Sequence, residues 1–225
     1  MTMHGSVVAL SVLPALVVSR SGETLASQAG RTPANPATTK PSLIGMSLSA
    51  SANEDFFTFF RLQETMRESD AARRDVVVFK PSGGTFRKMV TVRVTLAPRE
   101  RIVGMEVDLS RAFIDSSTQR AFANDIASSM LINSLPSGDL KAIGDLVNEI
   151  RRRASPVSEG PPVPGSVAIP RSRPIELPAK ESPGFLTYDG RRDSYTQQLP
   201  TTVLLMEKMQ EAGEAWLRIR VSAKS

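Results

Sequence analysis

Residues 90–109, VTVRVTLAPRERIVGMEVDL, constrain the fold most, because apolar and polar residues alternate on both sides of a short loop. With residues 98–101 in the loop, one antiparallel frame sets Arg93 opposite Glu106 on one face. The same frame gives the other face four apolar pairs: Val90 with Leu109, Val92 with Val107, Val94 with Met105, and Leu96 with Val103. A shift of one residue would destroy both sets, so the pattern predicts a hairpin of defined register whose apolar face must be covered.

Strands and helices on both sides of this hairpin predict a larger sheet with helical cover. Residues 76–79 are β-branched and apolar and lead into the glycine turn at Ser82-Gly83-Gly84. Near the end of the chain, residues 185–188, 195–199 and 216–221 are predicted as strands. Helical spacing of apolar residues predicts helices over 116–153 and over 201–212. The predicted fold class is α+β: an antiparallel sheet covered on one face by two or three helices, with a long proline-rich insertion.

The densest aromatic cluster follows Asn53, in the sequence EDFFTFF. Ser51 or Asn53 is placed to cap a helix that would carry Phe56, Phe59 and Phe60 on one side. An extended strand over 56–62 is the alternative. Because aromatic side chains have large burial energies, the cluster is interpreted as core packing rather than as a ligand pocket.

The first thirty residues have the outline of a secretory leader. An apolar run covers residues 6–18, which is too short to span a membrane, and small residues follow it. No Lys or Arg precedes the run, and a buried core segment or a mis-assigned start are the competing interpretations. The predicted organisation is a signal peptide at 1–29, a flexible tether at 30–42, and one α+β domain at 43–224 that contains an extended proline-rich segment at 154–183.

Composition excludes several kinds of chemistry. The chain has no Cys, which rules out disulfides, thiolate nucleophiles and Cys-ligated metal centres. Its one His is His4, so imidazole catalysis in the folded domain is not expected. No Walker, Rossmann or zinc spacing is present, and we expect no cofactor, no metal and no transmembrane helix. The net charge of +5 favours an acidic partner or a solvated basic surface.

Arginine clusters and one tryptophan are the candidate residues for an anion or partner surface. They are Arg151, Arg152, Arg153, Arg191, Arg192, Trp216, Arg218 and Arg220. A Trp–Arg–Arg strand face can bind anions or stack on a planar group. Two structural interpretations compete with this one: cations at a helix C-terminus offset the helix dipole, and charges on an edge strand prevent aggregation.

These observations rank three classes of function. The first is a non-enzymatic exported protein, periplasmic or envelope-associated, that binds a partner protein or a ligand. The second is a cytoplasmic protein that binds nucleic acid or another polyanion through the arginine clusters. The third is an enzyme based on carboxylates or on a Ser/Lys pair, although no spacing in the chain specifies such a site.

Overall fold

A computed structural model of the chain describes residues 41–154 and 181–224. The predicted signal peptide lies outside the described residues, as do all but the last two residues of the tether and most of the proline-rich segment.

Seven antiparallel strands form one sheet. They are β1 Leu62–Ser69, β2 Asp75–Pro81, β3 Val90–Ala97, β4 Arg101–Ser110, β5 Ser194–Gln198, β6 Thr202–Glu211 and β7 Glu214–Ala223. The strand order is β1-β2-β3-β4-β7-β6-β5, so the last strand of the chain pairs with β4 in the middle of the sheet. The predicted α+β class with an antiparallel sheet is confirmed at this level.

The helices precede the sheet or connect its two halves. They are α1 Leu48–Ser51, α2 Asp55–Phe59, α3 Arg111–Asp115, α4 Arg120–Ser134, α5 Ser137–Ala142, α6 Gly144–Ala154 and α7 Pro183–Tyr188. The longest, α4, contacts β4 and β7, and α6 packs against α4. Among the described residues, no helix is long and apolar enough to cross a membrane.

The β3–β4 hairpin has the predicted register over most of its length. Val92 faces Val107, Val94 faces Met105, and Arg93 faces Glu106. A bulge after Thr95 changes the end of the hairpin, so Leu96 pairs with Ile102 and not with Val103 as predicted. The extra residue places Ile102 in the core and leaves Val103 half-buried, because a bulge inserts one residue on one strand only.

Apolar side chains from the strands and helices form one core. On β3 and β4 the buried residues are those of the predicted apolar pairs, with Ile102 in place of Val103. Ile126 and Met130 of α4, and Val147 and Ile150 of α6, belong to the same cluster. In the second half of the helical segment predicted over 116–153, Ile143, Val147 and Ile150 are buried and Leu140 is half-buried, and Ile143 lies between α5 and α6.

The predicted helix over 201–212 is wrong, because this segment is strand β6. Its Leu, Met, Glu and Gln residues favour helix. However, Thr202, Leu204 and Met206 are buried while the residues between them are not, which is the period of a strand. Pairing on both sides, with β5 and β7, outweighs the local preference.

The predicted strand over 185–188 is also wrong, because these residues belong to helix α7. The Oγ of Ser182 caps the helix by accepting a hydrogen bond from the backbone N–H of Phe185, and Pro183 takes the first helical position. The sheet therefore contains β5, Ser194–Gln198, and does not contain residues 185–188.

The aromatic cluster divides between core and surface. Instead of one longer helix, the chain forms α1 and α2 and then turns into strand β1. Phe56, Phe57 and Phe60 are buried, whereas Phe59 is 71% exposed. The helix face that was predicted to carry Phe56, Phe59 and Phe60 is therefore only partly buried. The interpretation as core packing holds for the three buried rings.

A buried hydrogen bond joins α7 to α4 and gives a first prediction. The hydroxyl of Tyr188 donates to Oδ1 of Asn124 at 2.6 Å, and both residues are completely buried. Burial raises the pKa of Tyr188, so the phenol keeps its proton throughout the physiological range.

Replacement of Tyr188 by phenylalanine leaves Oδ1 of Asn124 buried without a donor. We expect the free energy of unfolding to fall by about 2 kcal/mol in urea denaturation followed by circular dichroism. Tyr195→Phe is the matched control, because the Tyr195 hydroxyl bonds Gln197 at a half-buried position where water can replace it. Equal losses in the two variants would contradict the prediction.

Candidate functional site

The face of the sheet opposite the apolar pairs carries charged side chains on its three central strands, and we call it the charged face. Residues that alternate with the core positions supply it: Arg93 on β3, Glu106 and Asp108 on β4, and Arg218 and Arg220 on β7. The strand register sets Glu106 opposite Arg220 and Asp108 opposite Arg218. These five residues are the arginine–carboxylate network.

Two buried carboxylates hold the network together. Asp108 is 1% exposed and Glu106 is 7% exposed. Nε of Arg218 donates to Oδ1 of Asp108 at 2.9 Å, and its Nη2 donates to Oδ2 at 3.1 Å, which is the bidentate geometry of strong ion pairs. Arg93 donates through Nη1 to both carboxylates, and Nε of Arg220 donates to Glu106 at 2.6 Å.

The electrostatics of the network raise the pKa of Arg93 and of Arg218. Burial lowers the pKa of Arg93, but the attraction of Asp108 and Glu106 outweighs this effect and the pKa lies above its ordinary value. Burial likewise lowers the pKa of Arg218, and the hydrogen bond and charge of Asp108 reverse the effect. Three arginines meet two buried carboxylates, and the third positive charge is offset in part by the more exposed Glu68, which lies 3.7 Å from Nε of Arg93.

A groove of about 670 Å³ lies over this network, and we call it the outer groove. Arg93, Glu106, Arg218 and Arg220 line it, together with residues of the β1–β2 hairpin such as Glu68. Asp108 does not line the groove and lies beneath the arginines. A volume of this size is typical of small-molecule sites and also accommodates a protruding side chain of a partner.

Each arginine of the network has one donor nitrogen that meets no acceptor in the part of the chain that the structure describes. The carboxylates engage Nε and Nη2 of Arg218 and of Arg220, and Nη1 of Arg93. Nη1 of Arg218, Nη1 of Arg220 and Nη2 of Arg93 hydrogen-bond no acceptor among the described residues. The residues that line the groove therefore carry donor nitrogens that can bind acceptor oxygens.

A second group of charges forms around Asp189, at the end of α7. Nη2 of Arg153 lies 2.6 Å from Oδ1 of Asp189, and Nε of Arg191 lies 2.7 Å from Oδ2. Arg111 bonds the carbonyl oxygen of Tyr188 at 2.6 Å. This Asp189 cluster ties together the ends of α3, α6 and α7, which is a structural role.

The structure brings some predicted site residues together and separates others. Arg153 and Arg191 meet at Asp189, whereas Arg151, Arg152 and Arg192 are exposed and form no ion pair with a described residue. Arg218 and Arg220 belong to the arginine–carboxylate network. That these eight residues form an anion or partner surface stays a prediction.

Strand β7 is not the edge strand that its charges suggested. It pairs with β4 on one side and β6 on the other, so Arg218 and Arg220 lie in the middle of the sheet. Trp216 follows the same alternation but is only 9% exposed, and it lines a separate cavity of about 460 Å³ together with Arg111 and Asp189. The edge-strand interpretation of these residues is therefore wrong.

The sequence did not indicate that two carboxylates, Glu106 and Asp108, organise the outer groove. It paired Arg93 with Glu106, and their 3.1 Å ion pair confirms this. It gave Glu106 and Asp108 no part in binding, because only the contact between β4 and β7, more than a hundred residues apart in the chain, brings Arg218 and Arg220 to them. The sequence did contain one indication of this site: in β3, β4 and β7 polar or charged residues alternate with apolar residues.

Metal binding finds no support in the part of the chain that the structure describes, where no three His, Asp or Glu residues form a group able to hold an ion. Comparisons of the chain with protein-family models, with curated proteins and with solved structures find no match, so the function has to be argued from this geometry.

Proposed function

We propose that this chain is a non-enzymatic binding protein that acts after export, and that its outer groove binds a carboxylate of a ligand or of a partner protein. The observation that carries the proposal is the set of unused donor nitrogens on Arg93, Arg218 and Arg220, which line one groove. A carboxylate has the planar pair of oxygens that a guanidinium binds best.

The arrangement of layers supports this choice of surface. We infer that the helices cover the apolar face of the sheet and leave the charged face open to a partner. The shared core of Ile126, Met130, Val107 and Ile219 supports this inference, since α4 packs on β4 and β7 from that side.

Ion pairing supports binding over catalysis. A catalytic carboxylate needs access to substrate and a pKa matched to proton transfer. Asp108 is instead buried under two arginines, and Glu106 bonds three. Carboxylates buried in this way position arginines and offer little surface to a substrate.

The same ion pairs favour a ligand of low charge over a long polyanion. Two of the three arginine charges in the network are offset by Glu106 and Asp108, and Asp189 offsets part of the other cluster. A nucleic acid would need a continuous row of uncompensated cations. A partner that offers one or two carboxylates matches the groove better.

Titration of the full-length ¹⁵N-labelled protein with N-acetyl-diglutamate tests the site. We expect amide shifts at groove residues such as Thr95, Gly104 and Ser222. Arg220→Gln removes a charged donor whose side chain is already 42% exposed, and we expect it to weaken binding about tenfold without unfolding the protein.

Arg151→Gln is the matched control, because Arg151 is exposed and lies outside the outer groove. It is expected to change the affinity less than about twofold, within the range of a screened surface charge. Shifts that follow Arg151 and its neighbours, or stronger binding of a decathymidine oligonucleotide than of the peptide, would contradict the proposal in favour of a polyanion site.

Export is tested separately by N-terminal sequencing of the protein purified from its source cells. A mature chain that begins near residue 30 is expected if the leader is cleaved. Retention of Met1 would contradict the export part of the proposal and would leave the binding part unaffected.

A further inference from the structure

One edge of the sheet exposes a row of backbone hydrogen-bonding groups. The backbone N–H of Lys208 bonds the carbonyl of Asp193, and that of Leu199 bonds the carbonyl of Thr202. In an antiparallel ladder these bonds recur at every second residue, so the odd-numbered residues of β5 bond β6. The N–H and C=O groups of Ser194, Thr196 and Gln198 therefore point away from the sheet, and no described strand pairs with them.

The two edges of the sheet differ in how they are protected. Edge strand β1 contains a bulge between Glu64 and Met66 and carries three charged side chains, Glu64, Arg67 and Glu68. Bulges and charges are the usual means of blocking edge-to-edge association. Strand β5, with the sequence SYTQQ, has no charge, no proline and no bulge. Among the described residues, nothing blocks this edge against pairing with a further strand.

We propose that the β5 edge pairs with the β5 edge of a second copy of this chain, antiparallel and about a two-fold axis at Thr196. In this register Thr196 lies opposite its own symmetry mate, and Ser194 lies opposite Gln198. All three residues have outward N–H and C=O groups, so each opposed pair exchanges two hydrogen bonds. The edge is self-complementary, as a closed two-fold interface requires.

The charges next to β5 fit the same register. Asp193 lies opposite Leu199 of the second copy, and Arg192 lies opposite Pro200. No like charges are opposed along the paired segment, which would otherwise destabilise the contact. The Thr196 side chains meet on the charged face, because Thr196 pairs with Leu205, whose alternation places it with Arg220.

The two-fold axis of an antiparallel pair is perpendicular to the sheet, so the dimer would have one continuous sheet with both charged faces on the same side. The contact is short, and we expect a weak dimer that forms as the concentration of the full-length protein approaches about 1 mM. Sedimentation equilibrium over a concentration series measures it.

Charge substitution at the axis tests the register. Thr196→Lys and Thr196→Glu each place like charges opposite one another, and each is expected to weaken dimerisation at least about tenfold. An equimolar mixture of the two variants is expected to dimerise again as the heterodimer. Gln63→Lys, exposed on the other edge strand, is the matched control and should dimerise like the unsubstituted protein.

Thr196→Pro tests the role of the backbone independently of charge. The Thr196 N–H takes no part in the β5–β6 ladder, so proline removes an outward donor and no bond within the chain. We expect a protein with an unchanged far-ultraviolet circular dichroism spectrum that stays monomeric. An unsubstituted protein that remains monomeric at about 1 mM, or a Thr196→Lys variant that dimerises as before, would overturn the proposal.

Discussion

Replacement of Asp108 by alanine is expected to lower the free energy of unfolding by about 3 kcal/mol, the largest effect of any substitution on the charged face. Asp108 is 1% exposed and accepts hydrogen bonds from both Arg93 and Arg218. Its loss leaves two guanidinium groups packed together, with side chains only 25% and 20% exposed and with Glu106 as the one buried carboxylate that they share. Urea denaturation followed by circular dichroism measures the change.

Two further variants separate this effect from the general cost of losing an acid. Glu68→Ala removes a third carboxylate beside Arg93, but Glu68 is 41% exposed and 3.7 Å away, so we expect a change within about 0.5 kcal/mol. Adding Arg218→Leu to Asp108→Ala removes one uncompensated cation and should recover part of the loss. A loss below about 1 kcal/mol for Asp108→Ala alone would contradict a buried network.

Local pattern was enough to predict the centre of the sheet. The alternation of residues 90–109 specifies which face each residue takes, because a shift of the frame by one residue would bury Arg93 and Glu106 with the valines. The bulge makes Ile102, rather than Val103, the partner of Leu96. The same pattern could not predict this, because both residues are β-branched and apolar. Pattern thus predicts the face of a residue better than it predicts an irregularity in the ladder.

The two elements that were predicted wrongly show where local pattern stops. Residues 202–211 have good helix formers, and only neighbours on both sides make them a strand. Residues 185–188 were predicted as a short apolar strand, but Ser182 and Pro183 before them are a cap and a first helical residue, and this start signal is stronger than the apolar pattern that follows it. The first error could not be avoided from sequence alone, and the second could.

The candidate site was predictable only in part for the same reason. Arg218 and Arg220 were identified from one strand, but the groove depends on a contact between β4 and β7 that no local pattern reveals. Arg151 to Arg153 formed a prominent run in the sequence, yet only Arg153 forms ion pairs with described residues. A run of like charge is thus a weaker guide to a site than a strand face whose charges alternate with core residues.

A second large effect is expected at Asp139, whose carboxylate joins helix α5 to the start of strand β6. Asp139 is completely buried and accepts hydrogen bonds from the hydroxyls of Thr201 and Thr202, at 2.8 and 2.6 Å, and from the backbone N–H of Thr201. Asp139→Ala leaves these donors without an acceptor, and we expect it to cost about 2–3 kcal/mol of unfolding free energy. Asp145→Ala, at an exposed position in the first turn of α6, should cost less than about 1 kcal/mol.

The contribution of Asp139 depends on pH in a defined direction. Burial raises the pKa of Asp139, but the hydrogen bonds from Thr202 and Thr201 together outweigh burial, and the pKa lies below its ordinary value. A carboxyl group with a lowered pKa in the folded state stabilises the protein fully above the pKa of the unfolded chain, about 4, and loses this contribution as the pH falls further. The stability difference between the unsubstituted protein and Asp139→Asn should therefore be constant from pH 7 to about pH 5 and shrink below about pH 4. A difference that stays unchanged down to about pH 2.5 would show that the charge of Asp139 does not stabilise the fold.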